Sequence, residues 1–235
     1  MEVDRGIVGV LLAMSGVYYL VVAHRHQRFA HYPSVYFMWF ALVYMLCTLL
    51  HPPVLATELG DNVRRRAIYL AIAILQGLSM MLVSSCLLNQ GRGKPWAVFG
   101  RICLGGLSGT ALSFYLMAMT GNGGLVQHAG GRAGVAVACA AATTIVLLYL
   151  PGRMFSACSA ILGSYVLVLG IDCFARTGYM NHMAVFTRCR LDVEYHAERS
   201  AMLLQAVALV LAILGGFFQR LCALLRFRNV LAAAR

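Results

Sequence analysis

Seven stretches of this chain, at about residues 6–23, 35–53, 67–88, 102–120, 133–150, 154–174 and 200–218, are almost free of charge; Asp172 is the only formally charged residue inside them. Each is about as long as a helix needs to cross the hydrocarbon core of a bilayer, roughly 20 residues. In lipid a spanning segment must satisfy its own backbone hydrogen bonds, so such runs fold as helices. The composition leaves little else open: 61% of the residues are apolar and 11% charged, and the mean hydropathy is +0.77. A water-soluble domain carries about a quarter charged residues, so this chain cannot cover a soluble surface. The expected fold is an all-α, polytopic membrane protein, a single seven-helix transmembrane bundle over residues 1–235 with short loops.

The closest pair of runs is the fifth and sixth, separated by Pro151, Gly152 and Arg153. Pro-Gly is a turn signal, and the combined length exceeds one crossing, which predicts a tight helical hairpin. The prolines, Pro33, Pro52, Pro53, Pro95 and Pro151, all lie at run ends or in loops, which predicts unbroken spans. Glu2 and Asp4 precede the first run, whereas a cleavable signal peptide begins basic; a retained span is expected.

Nineteen basic residues against eight acidic ones give a formal charge of +11. The basic residues cluster at run ends, where they anchor spans against headgroups and bias topology, and no aromatic-interleaved basic tract points to nucleic acid. Membrane lipids, together with a protein partner in the membrane or a second copy of the chain, are the expected partners. Basic residues divide almost evenly between the two faces, but Glu2, Asp4, Glu58, Asp61, Asp192, Glu194 and Glu198 all fall on the face of the N-terminus. The opposite face, with short acid-free loops, is the expected cytosolic one, placing the N-terminus outside and the C-terminus in the cytosol.

Ionisable residues at membrane depth are functional candidates by default. Asp172 and Arg101 qualify, both near span ends. Asp172 is followed by Arg176 one turn on, a spacing that allows an ion pair; a proton- or cation-handling carboxylate is the sharper alternative. Arg101, beside Trp96, reads as a snorkelling anchor. Gln76 and Gln205 are the polar residues within the third and last runs, suited to helix-to-helix hydrogen bonds or, for Gln76, a pore lining. Gly105 and Gly109 form a GxxxG pair, and Ser156, Ala160 and Ser164 recur every fourth residue. Such small-residue faces pack helices within a bundle or between copies.

Cofactor chemistry finds no footing. The histidines, His24, His26, His31, His51, His128, His182 and His196, lie in loops or at run ends, and the eight cysteines include no CxxC, so no haem, zinc or disulfide framework is indicated. No cofactor, metal or catalytic constellation is expected, and the protein is not expected to be an enzyme. The only lysine, Lys94, lies in a loop, which excludes a retinal Schiff base. The acidic-Arg-aromatic triplet and the Asn-Pro pair of rhodopsin-like receptors are missing as well.

The segment Ser156–Tyr179, SACSAILGSYVLVLGIDCFARTGY, resembles the hallmark of the seven-transmembrane domain shared by transmembrane protein 198 and seven-transmembrane superfamily member 3. Gly6, Gly9 and Gly16, followed by a tyrosine-rich end, resemble that domain's first span, and the likeness covers about residues 6–220. The resemblance implies seven helical spans with the N-terminus outside. It implies a role like that of the animal relatives, which are linked to signalling scaffolds and stress responses, and it carries over no catalytic residue.

Two functional classes follow: a non-catalytic integral membrane scaffold or accessory subunit, or a small-solute or ion channel or transporter needing a polar path through Gln76 and Asp172. The tail at 219–235 interleaves Arg220, Arg226, Arg228 and Arg235 with leucines. It is expected to lie on the membrane as an interfacial helix or to prolong the seventh helix. Cys222, at its start, is a candidate lipidation site.

Overall fold

The computed structural model describes residues 2–23, 25, 27–50, 59–89, 93–118, 126, 129–175, 177, 179 and 199–233. Among them are seven helices and no strand: α1 (Glu2–Val17), continued by a π-helical turn at Tyr18–Val22, α2 (Gln27–Leu50), α3 (Leu59–Asn89), α4 (Gly93–Ala118), α5 (Ala129–Tyr149), α6 (Pro151–Ala175) and α7 (Arg199–Ala233). Four of these contain segments long and apolar enough to cross a membrane, namely Pro95–Met117, Gly130–Tyr149, Met154–Ala175 and Ser200–Leu225, with shorter apolar stretches at Val8–Val22 and Ala71–Cys86. The protein is therefore an all-helical, multi-pass membrane protein.

Several helices outrun the apolar stretches that predict them. α2 begins at Gln27, so Pro33 lies inside it rather than at a run end. Proline has no N–H to donate to the carbonyl four residues back, yet the helix continues through it. Between α5 and α6 a single residue makes the turn: the Leu150 amide still donates to Val146 (2.9 Å), and the Leu150 carbonyl already accepts from Met154 (3.0 Å). Pro151 stands first in α6, where its missing N–H costs nothing. α7 runs unbroken for 35 residues, about 52 Å at 1.5 Å per residue, so the tail after residue 218 prolongs the last helix through Ala233.

Side-chain register fixes the relative directions. Gly16 meets Leu167 and Gly170 meets Ala13, so α1 and α6 are antiparallel; Gly105 meets Thr144 and Gly109 meets Ala140, so α4 and α5 are too. Ser159 bonds Gln219 at one end of the α6–α7 pair, and Ser200 bonds the Thr177 carbonyl at the other, again antiparallel. His31 lies at Gly100 and Gly106 at Met38, which makes α2 and α4 parallel. His31 also touches Phe155 while Tyr115 meets Ser164, which aligns α4 with α6. Odd helices α1, α5 and α7 thus oppose even helices α2, α4 and α6, as in a chain that crosses once per helix.

α6 is the axis of the bundle. It packs on α1, α4, α5 and α7, and 72% of its spanning segment is buried, against 11% for α5 and 17% for α7. Hydropathy does not single it out, because the α7 segment is the more apolar of the two. Glycine does. With lipid as apolar as the core, helices gain from close backbone approach rather than from escaping water. A Cβ on Gly163 would meet the Leu20 amide nitrogen at 2.8 Å and the Gly16 carbonyl at 2.9 Å; one on Gly170 would meet the Ala13 nitrogen at 2.6 Å, and one on Gly16 the Leu167 nitrogen at 2.5 Å. Backbone lies against backbone, and nothing there can give way.

Gly16→Ala or Gly163→Ala is therefore expected to lower stability by about 1–3 kcal/mol, the range for forced overpacking. Gly134→Ala, where an added Cβ meets nothing within 4 Å, is expected to be neutral or to stabilise by up to about 1 kcal/mol through helix propensity. Thermal unfolding of the detergent-solubilised protein, followed by size exclusion, checks the contrast, and equal effects at the buried and open glycines would contradict it.

Candidate functional site

The densest polar contact in the bundle grows out of the π turn. The Ala23 amide, which in a continuous α-helix would donate to Tyr19, donates instead to Tyr18 five residues back, at 3.0 Å. That shift takes the usual donor from the Tyr19 carbonyl, which lies with the Leu20 carbonyl inside the bundle, where an orphaned group costs free energy. Gln219 serves both carbonyls from α7. Its side chain is fully buried, and its Nε2 donates to the Tyr19 and Leu20 carbonyls at 2.8 Å each. Its Oε1 accepts from the Ser159 hydroxyl of α6 at 2.9 Å. The whole amide is used.

The same turn reaches α2. The Tyr19 hydroxyl, also fully buried, shares a 2.9 Å hydrogen bond with Ser34, which donates to the Ala30 carbonyl at 2.8 Å. Leu20 is wedged between two glycines, with Gly163 of α6 against its backbone and Gly215 of α7 against its side chain. α1, α2, α6 and α7 thus converge on three consecutive residues, Tyr18 to Leu20. π turns inside α-helices occur often at functional sites. Nearby, His31 lies 6% exposed between Gly100 and Phe155, its ring perpendicular to that of Phe155 with the centroids 5.9 Å apart.

At the other end of the bundle Gln205, 14 residues before Gln219 and on the same face of α7, does related work. Its Nε2 donates at 2.6 Å to the Tyr115 carbonyl, which lies in the last described turn of α4. Around it Tyr165 touches Phe114, Tyr115 and Tyr179, and the Tyr115 hydroxyl lies 3.3 Å from that of Ser164.

Asp172 is 4% exposed at the close of α6. Its Oδ1 accepts from the Thr177 amide at 2.9 Å and from the Thr177 hydroxyl. The carboxylate therefore ties down the chain as it leaves the helix. Arg176, expected as its partner, lies outside the described residues. Arg101 is half-buried on α4, next to Gly100 at His31. Gln76 is exposed on the outer side of α3. Gly105 and Gly109 face inward against Thr144, Thr143 and Ala140 of α5, where the Thr143 hydroxyl donates to the Gly105 carbonyl at 2.7 Å. Ser156, Ala160 and Ser164 are all buried, with Ala160 against Gly215 and Gly216 of α7. Cys222 is a half-buried free thiol on α7. Among the described residues no cluster of three metal-ligating side chains forms; His24 and His26 lie outside them.

Sequence reasoning missed Gln219, Ser159, Tyr19 and Ser34. Arg220 ends the seventh uncharged run, which makes Gln219 look like the first residue of a tail. The signal that could have found it is its spacing from Gln205, four helical turns on the same face.

These features define a multi-pass helical membrane domain whose polar side chains serve the backbone. A family model for the TM7S3/TM198-like domain matches residues 9–220. The chain belongs to that family, as the Ser156–Tyr179 segment implies. No curated protein and no solved structure matches it.

Gln219→Leu, which removes the side-chain donor to the Tyr19 and Leu20 carbonyls and buries nothing polar in its place, is expected to destabilise the protein by about 1–3 kcal/mol. Gln76→Leu on the exposed face of α3 is expected to change stability by less than about 0.5 kcal/mol. Thermal midpoints of the two variants in the same detergent check this; a Gln219→Leu midpoint equal to the native one would contradict the assigned hydrogen bonds.

Proposed function

We propose that the protein is a non-catalytic membrane scaffold or accessory subunit, with lipid and a neighbouring membrane helix or second copy as its partners. The observation that carries this is the use made of its buried polar groups: Gln205, Gln219, Ser34, Ser159 and Asp172 are engaged with backbone and side-chain groups of the bundle itself. A transporter of polar solutes keeps such groups for its cargo, commonly at broken helices near the midplane. Here they brace helix ends and a π turn. Asp172 sits at the end of α6, bonded to Thr177, rather than midway along it.

The outward side of α5 suits assembly. Gly130, Gly134, Ala138 and Ala142 recur at four-residue intervals, all exposed, and a Cβ on Gly130 or Gly134 would meet nothing within 4 Å. A second helix could approach there as closely as α5 approaches Gly105 and Gly109. The alternating helix directions favour seven crossings, and the acid-free loops favour a cytosolic C-terminus, so tags at the two ends should be protease-protected on opposite faces. Both tags on one face would refute the crossing number.

Reconstituted into proteoliposomes, the protein is expected to give ion and small-solute fluxes no higher than those of protein-free vesicles, with Asp172→Asn unchanged from native. A flux above that background that Asp172→Asn abolishes while the chain stays folded would overturn the proposal in favour of a channel or transporter.

A further inference from the structure

We infer that the π turn of α1 and Gln219 of α7 form a two-position latch, through which a bend in the far end of α7 is transmitted to the connection between α1 and α2. The inference is independent of the scaffold proposal, because it concerns how the bundle moves rather than what it holds.

Competition for one acceptor is the basis of the switch. The Tyr19 carbonyl is held by Gln219 Nε2 at 2.8 Å, while the Ala23 amide, its normal α-helical donor, is turned to Tyr18 at 3.0 Å. If Gln219 withdraws, the Tyr19 carbonyl regains its α-helical donor by taking back the Ala23 amide, which converts the π turn to α-helix. The two arrangements are discrete, and each satisfies the Tyr19 carbonyl, as a bistable element requires. The geometry also decides which part moves. Upstream, α1 is locked by backbone contacts of Gly9, Gly16, Gly163 and Gly170. Removing one residue from the turn must therefore rotate the segment downstream of it by about 100°, the angle per helical residue at 3.6 residues per turn. Ala23, fully buried, would leave the core, and the link from Tyr19 to Ser34 and Ala30 would carry the change to the start of α2.

The control arm is α7 beyond the latch. Gln219 is fully buried, but Arg220, Leu221, Ala223, Leu224 and Leu225 are all exposed, and the helix continues to Ala233. Past Gln219 the helix is thus a stiff rod with little of the bundle against it at residues 220–225, and Gln219 is the last fully buried residue described before it. A load on this rod bears on Gln219 first.

The test uses the full chain in nanodiscs, with Ala23→Cys introduced, Cys103 and Cys158 kept as buried reporters of the fold, and the other native cysteines replaced by alanine. The probe is a membrane-permeant maleimide. Position 23 is expected to be unreactive in the parent and to react at least tenfold faster in Gln219→Met, which fills the same space but cannot donate, while positions 103 and 158 stay protected. Ala223→Pro, whose ring collides with the carbonyl of residue 219 and bends α7 there, is expected to raise reactivity at position 23 in the same way. Arg228→Pro, which bends the helix five residues further on, is not. Unchanged reactivity at position 23 in Gln219→Met would overturn the latch, as would a rise at all three positions together, which reports unfolding. A protected position 23 in Ala223→Pro, or equal effects of the two prolines, would overturn the coupling to α7.

Discussion

A backbone carbonyl buried in a membrane must find a donor within the protein, and in this bundle that requirement is felt most sharply at Tyr19 and Leu20. The π turn inserts one residue of offset at the end of α1. Upstream of it, Gly9 and Gly16 lie flat on α6; downstream, Tyr19, Leu20 and Ala23 turn into the core toward α2 and α7. A regular α-helix could not present both faces in these directions. The offset takes the usual donor from the Tyr19 carbonyl in an apolar interior, and the amide of Gln219, about two hundred residues later in the chain, closes it together with the Leu20 carbonyl. One side chain thereby joins the first helix to the last.

Around that contact the bundle is organised by how closely backbones approach rather than by how apolar the helices are. α7 is the most apolar of the spanning segments yet lies mostly at the periphery, and α6 is buried on nearly every side. What distinguishes α6 is its small residues on several faces: Gly163 and Gly170 toward α1, Ser159 and Ala160 toward α7, Ser164 toward α4. Serine hydroxyls there return to their own helix, as Ser159 and Ser164 do to Ser156 and Ile161, so they add polarity without an unmet donor. The membrane environment rewards this arrangement because exposed leucine on α7 costs nothing in lipid.

Much of this could be read from the chain alone. Run length and the lack of charge locate helices at every expected span, and Pro151-Gly152 marks the reversal between α5 and α6, although Leu150 alone makes it. The Ser156–Tyr179 segment carries the family. Run length fails where helices extend past their apolar cores: α2 starts at Gln27 and takes in Pro33, and α3 starts at Leu59 and takes in the arginine run at 64–66. It fails again at Gln219, which belongs to the core although Arg220 follows it. Glutamine identity is equally ambiguous, since Gln76 faces outward while Gln205 and Gln219 face inward, and only the packing of the helix that carries them decides. Nothing in Tyr18-Tyr19-Leu20-Val21-Val22 announces a π turn. Its cause lies in two distant glycine contacts and one distant amide, a pattern no local window contains.

The account stands on the hydrogen bond that Ala23 makes. Carbon–nitrogen distances measured by solid-state NMR in lipid bilayers, with the Ala23 amide nitrogen labelled and the carbonyl carbons of Tyr18 and Tyr19 labelled in separate samples, read it directly. The shorter distance is predicted to be that to Tyr18, and Gln219→Met is predicted to shift it to Tyr19. A native protein in which Ala23 already lies closer to the Tyr19 carbonyl would mean that α1 is a regular helix with no carbonyl for Gln219 to hold, and would contradict the account.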